Sequence, residues 1–87
     1  MDTELLQVKI MTPHAIIFQG QALAVSSTNS EGIFDVLPEH ANFITLIENQ
    51  SIKVIKTNKE TQEFNFTQAI LVNLKNACTI YAEPTTL

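Results

Sequence analysis

A chain of 87 residues, 45 % hydrophobic and 16 % charged, suits one domain over residues 1–87; it is too apolar to be disordered and too short to carve a deep ligand pocket into its core. The net charge is −4 and there is no arginine, Lys53, Lys56 and Lys59 being the densest basic group. Nucleic acid is excluded as a main ligand, because displacing counterions from phosphates takes a basic footprint, and attraction to anionic lipid is disfavoured on the same ground.

Along the chain, Leu6, Val8 and Ile10 alternate with Gln7 and Lys9, the period of a strand with one buried face. Thr12-Pro13 ends this run, since proline lacks the N–H that a ladder needs. Ala15 to Phe18 forms the next run, and Gly20 reads as a turn or bulge before Gln21 to Ser26. A polar loop from Ser26 to Ser30 leads through Glu31-Gly32 into the apolar run Ile33 to Leu37, which Pro38 stops. Phe43 to Ile47 follows, then a turn at Glu48-Asn49, then Ile52 and Val54 in alternation. Thr57-Asn58 reads as a hairpin turn because Asn tolerates positive φ. Phe64 and Phe66 share one face, Ile70, Val72 and Leu74 another, and Cys78, Ile80 and Ala82 a third, opposite Thr79 and Tyr81. The pattern predicts an all-β domain, a small antiparallel β-sandwich of about eight to ten short strands.

The lone Cys78 forms no intrachain disulfide, fits a reducing compartment and reads as a buried, inert thiol. The N-terminus lacks the basic and apolar segments of a signal peptide, and no apolar run approaches the ~20 residues of a membrane helix, so direct membrane insertion is not expected. His14, His40 and Cys78 lack the spacing of a structural zinc site. Asp35, His40 and Ser26 or Ser30 could be written as a hydrolytic triad, but no Gly-x-Ser-x-Gly elbow accompanies them. The simpler reading gives Asp35 and His40 to local backbone hydrogen bonds. Glu60 and Glu63 beside Lys56 and Lys59 read as a solvated hairpin. No catalytic residue, metal or cofactor is expected. A domain of this kind works by its surface, and a free-standing protein-binding module is one such reading.

Glu31-Gly32-Ile33-Phe34-Asp35-Val36-Leu37-Pro38-Glu39-His40-Ala41 resembles the signature of the epsilon subunit of F-type ATP synthases, Glu-Gly-x-Phe/Leu/Ile-Gly-Val-Leu-Pro-x-His-Ala-Pro. Ile10-Met11-Thr12-Pro13, Phe18-Gln19-Gly20, Thr45, Ile52 to Lys56 and Cys78 to Ala82 resemble further family segments in the same order. Three departures stand out: Asp35 where the family has Gly, Asn42 where it has Pro, and Thr67-Gln68-Ala69 where it has Ser-Gly-Gly. The family's C-terminal helical hairpin, with its inhibitory and nucleotide-binding roles, has no counterpart in this sequence.

The resemblance implies a β-sandwich at the foot of the gamma subunit that rests on the polar loops of the c-ring. It would be a non-catalytic stalk component on the cytoplasmic face of a bacterial inner membrane, or its organellar equivalent. By position, Ser30, Glu31, Gly32 and Ile33 would lie near the c-ring and His40 near gamma. Pro13, Gly20 and Pro38 would shape turns. Ile33 and Phe34 alternate in direction, so one of them is expected to face outward.

Overall fold

The structure, a computed structural model, describes residues 4–83. Eight strands are formed and no helix is present among these residues: β1 (Leu6–Met11), β2 (Ile16–Asn29), β3 (Gly32–Val36), β4 (Phe43–Glu48), β5 (Ser51–Lys56), β6 (Thr61–Asn65), β7 (Gln68–Leu74) and β8 (Ala77–Ala82). The period-two pattern of β1 is realised directly, with Leu6, Val8 and Ile10 buried and Gln7 exposed.

One expected boundary is absent. Gly20, read as a turn or bulge, lies inside β2 and pairs with Val8, so the two short runs around it form a single strand of 14 residues. The space beside Gly20 is used by Phe18, whose ring lies 3.7 Å from where a Cβ would stand. That ring meets Phe64 edge-on at 5.8 Å. The irregularities of β2 flank the glycine instead, one opposite Met11 and one between Ala22 and Ala24. Bulges of this kind bend a strand and increase its twist.

The strand order is β4-β7-β8-β1-β2-β5-β6, with β3 also paired to β2. The first half of β2 pairs with β1, and its second half pairs with β3 and β5. The sheet thereby curls into two layers that share β2. All pairs are antiparallel except β1–β8, which are parallel over Gln7–Met11 and Ala77–Tyr81. A parallel pair needs a long connection, and here the intervening chain supplies it.

Two hairpins show where backbone preference is overridden. In the β5–β6 turn the left-handed residue is Lys59 (φ 72°), not Asn58. Asn58 Oδ1 instead accepts the Glu60 N–H at 3.0 Å. The β7–β8 turn places both Lys75 (φ 47°) and Asn76 (φ 67°) in the left-handed region, as a two-residue type I′ loop requires.

The core lies between the layers. Leu6, Ile10, Ile47, Ile52, Leu71 and Ile80 are its largest fully buried side chains. Cys78 is also fully enclosed, and desolvation pushes its thiol up to about 12. In the unfolded chain the same thiol titrates near ~8.5. Between these values the folded state binds more protons than the unfolded state, so stability falls as pH rises, by up to ~1.4 kcal/mol per pH unit. Urea melts at pH 9, 10 and 11 should show this slope in the natural chain and a shallower one in Cys78→Ala. Equal slopes would mean that the thiol ionises as freely in the fold as outside it.

Candidate functional site

The segment from Asn29 to Ile33 forms the tip between β2 and β3. Asn29 Oδ1 accepts the Glu31 N–H at 2.9 Å, and Asn29 Nδ2 donates to Thr45 Oγ1 on β4 at 2.9 Å. Gly32 adopts φ 121°, where any L side chain would be strained. Ile33 is 84 % exposed, whereas Phe34 turns inward and meets Phe43 edge-on at 5.5 Å. The tip is therefore rigidly seated and carries one bare aliphatic side chain.

His40 lies at the other end of β4. The His40 N–H donates to Leu37 O at 3.0 Å, closing a turn over Pro38 and Glu39. Glu39 takes φ 66° in that turn. Three asparagines hold the segment down: Asn76 Oδ1 accepts the Glu39 N–H (2.6 Å), Asn42 Oδ1 accepts the Lys75 N–H (3.2 Å), and the buried Asn73 donates Nδ2 to Ala41 O (3.4 Å). Pro13 occupies a second turn, where Thr12 N–H donates to Ala15 O at 2.9 Å. The structure thus brings Ser30, Glu31, Gly32 and Ile33 together and keeps His40 apart from them, at opposite ends of β4.

The hydrolytic reading does not assemble. Asp35 accepts a hydrogen bond from Ser26 across the β2–β3 pair. His40 Nδ1 donates to Ala41 O at 3.0 Å, and its ring meets Phe43 edge-on. No His/Cys/Asp/Glu group able to hold a metal ion occurs among the described residues.

What the layers present outward differs sharply. On one outer face, Leu46 pairs with Ile70, Ile70 with Tyr81, Tyr81 with Met11, and Met11 with Ile16. This apolar row crosses five strands without a break, about 19 Å at ~4.8 Å between strands. Ile44 and its partner Val72 lie beside it, and Leu74 lies beyond them. On the other outer face, Asp35, Ser26, Lys53 and Glu63 form a row across β3, β2, β5 and β6 that is polar throughout. Soluble monomers rarely leave a continuous apolar patch in water, and one of several hundred Å² marks an interaction site. The apolar face is the candidate docking surface.

The family model described as the β-sandwich domain of the ATP synthase delta/epsilon chain matches residues 5–86. The chain belongs to that family. Among its relatives, the ATP synthase epsilon chain of Sulfurimonas denitrificans is 40 % identical over 57 residues, covering 66 % of this chain and 44 % of the relative. The epsilon chain of Wolinella succinogenes is 39 % identical over 59 residues, covering 68 % and 45 %. The match thus spans less than half the length of these relatives. The fold is shared with a chain of the Euglena gracilis mitochondrial ATP synthase assembly of OSCP, F1 and c-ring, at a TM-score of 0.84 and 13 % identity over 92 % of this chain and 51 % of that one. A chain of the Tetrahymena thermophila mitochondrial ATP synthase central stalk and c-ring gives 0.76 at 11 % identity, covering 97 % and 67 %.

The three departures from the epsilon signature each have a place in the structure. Asp35 takes the Ser26 hydrogen bond, and Asn42 ties its loop to the β7–β8 hairpin. Thr67 accepts the Asn49 N–H at 2.9 Å, and β7 begins at Gln68 with Ala69 buried, so the ladder runs regularly where the family's glycines would stand. The apolar row is what sequence reading missed. Its signal was present on β7, where Ala69 and Leu71 alternate with Ile70 and Val72 and both faces are apolar.

Proposed function

We propose that this chain is a non-catalytic rotor-stalk subunit of an F-type ATP synthase. It docks on gamma through the apolar face of β4, β7, β8 and β1, and it turns the Ser30–Ile33 tip toward the polar loops of the c-ring. In that position it helps to couple ion translocation to ATP synthesis on other subunits, at the cytoplasmic face of a bacterial inner membrane and without a cofactor. The observation that carries this reading is the five-strand apolar row on one outer face, set against the polar row Asp35, Ser26, Lys53 and Glu63 on the other. The separation of the tip from His40 supports two partners at two ends, with His40 on the gamma side.

Calorimetric titration of the matching gamma subunit into the folded chain tests it. A stable complex is expected. His40→Glu should weaken it about tenfold, the loss of one interface contact worth ~1.4 kcal/mol. Ile33→Glu should leave gamma binding intact and reduce co-sedimentation with detergent-solubilised c-ring. A folded chain that ignores gamma would instead be a free-standing binding module.

A further inference from the structure

We infer that the cavity beside Pro13 is a socket for one large apolar side chain of the docking partner, and that Glu83 on its rim selects a cation next to that side chain. This deepens the docking reading above and rests on it. The cavity holds about 300 Å³ and is lined by Met11, Thr12, Pro13, Tyr81, Ala82 and Glu83. Met11 and Tyr81 are neighbours in the apolar row, so the socket opens within the candidate interface and not beside it.

Its walls are fixed before any partner arrives. The Thr12 hydroxyl oxygen accepts the N–H groups of His14 and Ala15, each at 3.2 Å, which holds the Pro13 turn. The Glu83 N–H donates to Gln68 O at 2.9 Å, which holds the rim against β7. Ala82, between Tyr81 and Glu83, is anchored in the buried core, which fixes the stretch of chain that carries both. Preorganised apolar pockets at the centre of a patch are where binding energy concentrates.

The charges around the socket define the occupant. Its one ionisable group besides the tyrosine is the Glu83 carboxylate, and Glu48 continues the same margin through a hydrogen bond from Gln68 Nε2 (3.4 Å). Lys9 lies one row away, opposite Thr79. An apolar side chain flanked by lysine or arginine complements this margin. A second copy of the chain would bring the same acidic margin and another net charge of −4 against it.

The test is calorimetry of the matching gamma subunit with the whole chain, at low and at high salt. Tyr81→Ala should weaken binding at least tenfold. Glu83→Lys should weaken it about tenfold at low salt and less at high salt, and Thr61→Ala, exposed on β6 at the far end of the sheet, should bind as the natural chain does. Glu83→Lys is an exposed change, so it decides the matter even if Tyr81→Ala unfolds. Unchanged affinity in both socket variants would remove the socket and leave the docking reading standing. Absence of binding by the natural chain would remove both. Self-association that Tyr81→Ala abolishes would assign the socket to a second copy and overturn the partner named here.

Discussion

Ile70→Asp will leave the sandwich folded and cost it its partner. Ile70 is 46 % exposed and stands between Leu46 and Tyr81 within the apolar row, with Val72 beside it on the same strand face. In the isolated chain its carboxylate would remain in water, and the cost is the loss of an aliphatic strand residue, at most ~1 kcal/mol. Against gamma the same carboxylate would be desolvated among the apolar groups of the row. Central interface residues of this kind are worth about 2–4 kcal/mol, a loss of roughly 30- to 1,000-fold in affinity. Calorimetry gives the affinity and a urea melt gives the stability. An Ile70→Asp chain that binds gamma as tightly as the natural one would show that the apolar face is not the docking surface.

Leu71→Ala, one residue further along β7, should do the opposite. Leu71 is fully buried and pairs with Thr45 on one side and Ile80 on the other. Truncation removes apolar contact and leaves a cavity, typically 2–5 kcal/mol. A domain of this size is stable by only ~4–13 kcal/mol, so the variant should lose a large part of its denaturation midpoint. Whatever remains folded should bind gamma normally, because the outer row is untouched. A midpoint shift with an unchanged urea slope would place the effect in the native state. A loss smaller than 1 kcal/mol would mean that Leu71 does not sit in a packed core.

The contrast between these neighbours explains what could be read from the sequence. β1 was legible because only one of its faces is apolar, and period two then names the core directly. β7 was not, because Ile70, Val72 and Leu74 form the bulkier set yet point outward, while the inner set is Ala69, Leu71 and the polar Asn73. Which face of such a strand is buried depends on the layer it meets, and that is a long-range fact. Gly20 misled for a related reason: it lies inside a continuous strand, paired with Val8 and beside the Phe18 ring, and a glycine so placed imitates a turn signal in one dimension. Of the residues put forward from the resemblance, the Ser30–Ile33 tip and His40 are gathered by local turns. The apolar row needed the registry of five strands, which no local spacing encodes.

The shared strand β2 has a mechanical consequence. A force applied at the Ser30–Glu31 tip runs along the axis of a strand that is bonded to β3 and β5 near the tip and to β1 further back. Loaded along its length, such a strand strains many hydrogen bonds in parallel, as in shear, and they resist together. Loaded crosswise, it would peel one bond at a time. The layers are therefore coupled by continuous covalent backbone as well as by side-chain packing, and a pull along that axis is carried from the tip to the opposite end of β2 with little relative slip of the layers.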